Sequence, residues 1–304
     1  MEELPTDTNS RKRTRSEEGE QKDEQRDKKK KKGPVVTVRQ VFNREGLLGN
    51  SIDYINPRVF DPSMIKDEAT VVFFAKRRTG KSFALRWILE AKKASYPFLL
   101  VFTNTKMNNF WQQYIPDKFV HEGYQPQVLA KLLERQKKLV KKMEEDPELA
   151  KKVNPFVALI LDDCISQKEI KTCPFLRRVF TEGRHSKVAI FITTQYAKGI
   201  DTIARGNVDY AFIFFQIQLL QKESIARDFL GFMPQIQAFE VIDKFCQDRQ
   251  ALVVDTSALS NNPNEVLYLC NAKEVDNFRL GCEEMWKSTE CPITDAKQFI
   301  ELPH

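Results

Sequence analysis

The stretch Ala75 to Ser82 reads A-K-R-R-T-G-K-S, and these residue types at this spacing can hold a phosphate chain. In such a loop successive backbone N–H groups face an anion, and the helix that follows adds its positive end. Gly80 lets the backbone pass a phosphate with no side chain between them. Lys81 reaches the outer phosphates and the Ser82 hydroxyl binds Mg2+. Ala75 stands where the first glycine of such a loop usually stands. Lys76, Arg77, Arg78 and Thr79 complete the turn, and the two arginines bring charge that could meet phosphate or a neighbouring subunit. Further on, L-I-L-D-D ends in Asp162 and Asp163, and I-F-I-T-T-Q ends in Gln195. An apolar strand that delivers a carboxylate to a sheet edge suits Asp162 to Mg2+ through its water shell. Asp163 is then free to orient or deprotonate a water. Gln195 can hydrogen-bond both that water and a phosphate oxygen, as a sensor would. Together these residues describe attack of water on the terminal phosphate of a bound nucleotide, with Mg2+. The plainer alternatives are a chance G-K-S, carboxylates that cap a following helix, and polar residues that merely close a strand.

These side chains need a sheet edge to stand on. Val71 to Phe74 is a short unbroken apolar run, as expected of a buried strand, and Phe83 to about Lys93 reads as the helix after the loop. Further buried-strand runs are Phe98 to Phe102, Phe156 to Leu161, Val188 to Ile192 and Tyr210 to Phe215. Thr103, Asn104 and Thr105 close the first of them, where open α/β sheets hold ligands. Helices are expected over Val128 to Lys152, Pro174 to Glu182, near Lys222 to Leu230 and near Phe239 to Cys246. In the first, Val128, Leu132, Arg135, Leu139 and Met143 recur at helical spacing. Lys137, Lys138, Lys141 and Lys142 lie on a face shared with glutamates, which favours solvent over DNA. Ala251 to Val254 and Val266 to Leu269 read as an edge hairpin across Asn261 to Asn264. The fold class is α/β, a mainly parallel sheet flanked by helices with a C-terminal edge hairpin. The division is a tail over 1–32, an N-terminal elaboration over 33–69 with an extended Val35 to Phe42, an ATPase core over 70–272 and a helical extension over 273–304.

With 304 residues, 41% hydrophobic and 11% aromatic, the chain can bury a substantial core. A formal net charge of +6 favours a polyanionic partner. The tail from Met1 to Lys32 has almost no large apolar residue after Leu4 and is expected to be disordered. Its basic clusters, Arg11 to Arg15 and Lys28 to Lys32, flank an acidic middle, the pattern of a two-part nuclear import signal or a nucleic-acid-binding arm. Six cysteines lie far apart with no C-x-x-C pair, which favours free thiols over zinc or a disulfide framework. The longest apolar stretch, Ala211 to Leu220, is interrupted by Gln216 and Gln218 and falls short of the roughly 20 residues a membrane helix needs. The polar amino terminus shows no secretory signal.

The set A-K-R-R-T-G-K-S, L-I-L-D-D and G-R-H-S-K-V-A-I-F-I-T-T-Q, in that order, resembles the genome-packaging ATPases of large double-stranded DNA viruses, in the FtsK/HerA group of P-loop motors. The resemblance covers roughly Thr70 to Ala272. It implies a RecA-like sheet and a homo-oligomeric ring with ATP hydrolysis at subunit interfaces. It also implies sequence-nonspecific translocation of double-stranded DNA into a preformed capsid, with a capsid or portal protein as partner. By this likeness Lys81 and Ser82 are the phosphate and magnesium residues, Asp162 the metal aspartate, Asp163 the catalytic carboxylate and Gln195 the sensor. Arg184 matches the arginine inserted into the neighbouring subunit's site. The implied setting is the host nucleus or virus factory, with possible association with the virion. Two departures stand out: Ala75 replaces a glycine, and Asp163 stands where cellular relatives usually carry a longer glutamate. Lys198, Arg205 and Lys222 are places to look for DNA contacts. A cellular DNA translocase or helicase of the same group is the nearest rival reading, followed by a nucleotide or nucleic-acid kinase.

Overall fold

The computed structural model describes residues 52–164 and 173–288. The tail over 1–32, the expected strand or extended arm over Val35 to Phe42 and the chain after residue 288 lie outside the described residues.

Nine strands form one sheet: β1 (Arg58–Val59), β2 (Thr70–Phe74), β3 (Phe98–Thr103), β4 (Val120–Glu122), β5 (Val157–Asp162), β6 (Val188–Thr194), β7 (Tyr210–Ile213), β8 (Ala251–Asp255) and β9 (Leu267–Cys270). Their spatial order is β1-β9-β8-β7-β2-β6-β5-β3-β4. Every pairing is parallel except the two made by β8. The apolar runs are unbroken because both faces of the central strands are covered, so β2, β3 and β6 are buried along their whole length. Aromatic rings tie neighbouring strands: Phe73 of β2 stacks on Phe212 of β7 with ring centres 4.7 Å apart.

Helix α1 (Lys81–Ala91) follows β2, and α2 (Pro126–Glu145) follows β4. The single helix expected over Val128 to Lys152 is in fact two. Pro147 has no N–H to bond back into the helix, and Asp146 adopts an extended conformation and caps α3 (Pro147–Lys152) by accepting from the Glu148 and Leu149 N–H groups. Along α2, Lys138 pairs with Glu134 at 2.7 Å and Lys141 with Glu145 at 3.6 Å, a solvated face as expected. Arg135, on the apolar repeat, is buried with its guanidinium 5.4 Å from the Phe98 ring centre. Helix α4 covers Pro174–Glu182, α5 Leu219–Phe229 and α6 Gln235–Phe245.

The hairpin of β8 and β9 pairs as expected, but it is not the sheet edge. β1 adds two residues in parallel outside β9, and Phe60 beside it packs edge-on against Phe212 with ring centres 5.0 Å apart. Ile55, Phe60 and Ile65 are all buried, so the described part of the N-terminal elaboration shares the core. Within the expected C-terminal helical extension, regular helix is confined among the described residues to Glu283–Lys287. Residues 271–280 before it run without regular structure, and Arg86 of α1 donates to the Val275 carbonyl at 3.0 Å.

Candidate active site

The carboxyl ends of β2, β3, β5, β6 and β7 meet at one edge. The entry into β8 meets them there, because that strand runs the other way and Leu252 faces Ile213. The loop after β2 starts with the Ala75 N–H donating to the Thr194 carbonyl of β6 at 3.0 Å. The Thr79 hydroxyl closes the turn on the Lys76 carbonyl at 2.7 Å. Arg78 takes φ 67, and Gly80 caps α1 at φ 103, a left-handed conformation that a side chain would disfavour. Lys81 is then the first residue of α1 and is buried, while Ser82 is exposed.

Across this loop stands Asp163, with its Oδ2 2.6 Å from Lys81 Nζ. Asp163 lies just past β5 in a left-handed conformation, φ 51, and three hydrogen bonds hold its backbone. Its N–H donates to the Thr193 carbonyl at 3.1 Å and to the Thr193 Oγ1 at 3.0 Å, and its carbonyl accepts from Asn104 Nδ2 at 3.0 Å. Asp162, the last residue of β5, turns its carboxylate elsewhere. Its Oδ1 accepts from the Thr193 hydroxyl at 2.6 Å and its Oδ2 from the Trp111 indole N–H at 2.9 Å. The adjacent aspartates therefore part ways, one facing the phosphate loop and the other held by β6 and a helical turn. Cys164 follows them fully buried, and burial together with the nearby Asp162 charge pushes its thiol well above the usual range, so it is no nucleophile here.

A cleft of about 480 Å³ lies over the loop, with Lys76, Gly80, Lys81, Ser82, Asp163 and Arg249 among its lining residues. Gln195, half-buried after β6, lines a smaller adjoining cleft with Lys76, Gln216 and Gln221. Lys76 is common to both. Arg184 stands at the far edge of the sheet. Its guanidinium pairs with Asp209, whose Oδ2 accepts from the Thr70 N–H at the start of β2 at 2.8 Å. The five residues of β2 thus separate Arg184 from the phosphate loop by roughly 16 Å. Of the positions considered for DNA, Arg205 pairs with Asp228 at 3.1 Å and is largely buried, and Lys222 pairs with Asp243.

Trp111, Thr193 as a bridge, and Arg249 are site residues that sequence reasoning did not assign. Thr193 lies in the T-T-Q run and Asn104 in the polar trio after β3, both at strand ends that drew attention. Trp111 and Arg249 carry no local pattern, since their roles depend on contacts with Asp162 and Gly80 far along the chain.

Residues 58–282 match the family model described as Poxvirus A32 protein. Among curated proteins, the chain is 29% identical over 235 residues to uncharacterized protein 075L of Invertebrate iridescent virus 6, covering 76% of this chain and 88% of that one. It is 26% identical over 232 residues to uncharacterized protein L437 of Acanthamoeba polyphaga mimivirus, covering 76% and 79%. Among solved structures, the genome packaging NTPase B204 from Sulfolobus turreted icosahedral virus 2, in complex with sulfate, superposes with a TM-score of 0.49 at 14% identity, covering 70% of this chain and 100% of that one. The phosphate loop, the aspartate pair and the polar end of β6 all fall inside the matched span, and the chain belongs to the poxvirus A32 protein family.

Proposed function

We propose that this chain is a sequence-nonspecific double-stranded DNA translocase that uses ATP hydrolysis to package a viral genome into a preformed capsid. It works as a homo-oligomeric ring against a capsid or portal protein, in the host nucleus or virus factory. The observation that carries hydrolysis is the Asp163 carboxylate 2.6 Å from Lys81 Nζ at the phosphate loop. When a triphosphate enters, Lys81 exchanges this carboxylate for phosphate oxygens. Asp163 is released beside the terminal phosphate, with its backbone still fixed by Thr193 and Asn104, and takes the proton of an attacking water. Gln195 approaches the same phosphate from the adjoining cleft and orients that water.

The residues present suit Mg2+. The Ser82 hydroxyl is exposed in the first turn of α1, and among the described residues each oxygen of Asp162 accepts one donor, leaving lone pairs for water ligands. Ser82 and Asp162 would hold the ion, which when bound neutralises phosphate charge.

Family membership supports the viral packaging role, and surface chemistry supports the ring. Beside the nucleotide clefts the run after β7 leaves Phe215 44%, Ile217 67%, Leu219 58% and Leu220 65% exposed. A neighbouring copy would cover this apolar ridge. The exposed Arg184 would then leave Asp209 to stabilise charge in the next subunit's site.

The test is steady-state ATP hydrolysis with and without long duplex DNA. DNA should stimulate turnover, and Asp163→Asn should lower it by a factor of about a hundred or more. Arg184→Ala should be inactive alone and regain activity when mixed with Lys81→Ala subunits. If DNA leaves turnover unchanged and a polynucleotide end becomes phosphorylated, the reading is wrong.

A further inference from the structure

We infer that Arg249 is a ligand of the nucleotide's outer phosphates, supplied in cis by the loop that enters β8. The inference rests on the reading that the cleft over residues 75–82 takes ATP.

The position follows from topology. β8 is the antiparallel strand, so the loop before it opens at the same sheet edge as the phosphate loop, and Arg249 lines the cleft with Gly80, Lys81 and Asp163. Its backbone is packed against the loop itself. A methyl group on Gly80 would stand 3.2 Å from the Arg249 Cβ and 3.4 Å from its carbonyl oxygen. Gly80 caps α1, whose first-turn N–H groups make the phosphate-binding end, so Arg249 is held at the point where phosphate must lie.

Two further features separate Arg249 from an ordinary surface arginine. It takes φ 66 and Asp248 before it φ 47, two consecutive left-handed residues with side chains in a turn that the Gln250 N–H closes on the Gln247 carbonyl at 2.7 Å. Its guanidinium is exposed and makes no hydrogen bond or ion pair with any described residue, Asp248 included. By contrast, the charge of Lys81 is offset by Asp163 until nucleotide arrives. An unpaired guanidinium carried on a backbone that packs against a phosphate-binding helix end is suited to take two phosphate oxygens with its planar fork. The antiparallel hairpin thereby contributes directly to nucleotide binding.

The experiment is calorimetric binding of ATPγS and of AMP to the full chain and to Arg249→Ala, Arg249→Lys, Arg249→Gly and Lys81→Ala, with thermal unfolding midpoints measured alongside. Arg249→Ala should weaken ATPγS about ten- to a hundredfold and AMP by less than about threefold, and lysine should restore part of the loss. Arg249→Gly should raise the unfolding midpoint, since glycine relieves the left-handed strain, while it weakens ATPγS as alanine does. ATPγS affinity unchanged in Arg249→Ala, with Lys81→Ala weakened, would overturn this inference alone. Equal losses for ATPγS and AMP would also overturn it, since the contact would then lie on the nucleoside end. Lys81→Ala binding as tightly as the parent chain would overturn both the site and the inference.

Discussion

Replacing Thr193 by valine tests whether β6 holds both aspartates through one hydroxyl. The Thr193 side chain is fully buried. Its Oγ1 donates to Asp162 Oδ1 at 2.6 Å and accepts from the Asp163 N–H at 3.0 Å. Valine keeps the shape and removes both bonds. The Asp163 N–H retains the Thr193 carbonyl at 3.1 Å, so its loss is small, whereas Asp162 loses a donor to a charged oxygen. A hydrogen bond to a charged group contributes about 1.5–3 kcal/mol. The added methyl offsets something below about 0.8 kcal/mol. The net destabilisation is about 1–2 kcal/mol, which in a domain of this size lowers the unfolding midpoint by roughly 2–8 °C. Catalysis should suffer more, because Asp163 sits in a left-handed conformation kept by three bonds and one of them is gone. A displacement near 1 Å costs about a hundredfold, so kcat should fall between about ten- and a hundredfold with KM for ATP little changed. Calorimetry and steady-state ATPase measurements read both effects, and Thr193→Ser, which keeps the hydroxyl, should retain most of the activity. A valine variant with a midpoint within about 1 °C of the parent and kcat within about twofold would refute the bridge.

Two other predictions concern residues around the site. His121 on β4 has its Nε2 buried without a hydrogen-bond partner among the described residues, and burial, followed by the nearby Lys106 charge, holds its folded pKa below the usual imidazole value. The unfolded chain therefore binds the proton more readily, so His121 costs stability as pH falls below about 6.5, and the cost levels off only below the folded pKa. His121→Phe, packed against Phe102 as the tilted imidazole is, should remove that part of the acid limb in denaturant titrations from pH 7 to 5. An unchanged limb would show that other groups produce it. Gly80→Ala, forced to φ 103 and to 3.2 Å from the Arg249 Cβ, should cost at least about 1–2 kcal/mol in urea unfolding, and an alanine variant as stable as the parent would contradict the backbone described here.

The parts of this fold that could be read from sequence are those fixed by neighbours in sequence. Val71 to Phe74, Phe98 to Phe102 and Val188 to Ile192 had to be buried on both faces, and all three lie within interior strands of the sheet. Pro174 set the first residue of α4 because its missing N–H and fixed φ suit a first turn. The same chemistry at Pro147 breaks the helix, and a reading by apolar period alone ran across it. β1 has only two residues, both exposed, and exists because β9 offers an open edge, so no local pattern could reveal it. Trp111 illustrates the limit for the site. An indole N–H becomes the partner of Asp162 through a contact spanning 51 residues, and nothing around Trp111 in the sequence marks it.

The aspartate pair shows what the backbone adds to a legible motif. In the sequence Asp162 and Asp163 differ only in order, and exchanging their roles would leave the pattern L-I-L-D-D unchanged. Asp162 is still in register with Thr193 in the parallel ladder, so its side chain meets the Thr193 hydroxyl. One residue later the ladder ends. The turn to φ 51 redirects the next carboxylate towards Lys81, and the shorter reach of aspartate relative to glutamate does not prevent a 2.6 Å contact. The Asp163 carboxylate thus reaches the loop because the backbone turns towards it. That solution needs residues that hold a strained turn, which is the part Asn104 and Thr193 play from the two strands that flank β5.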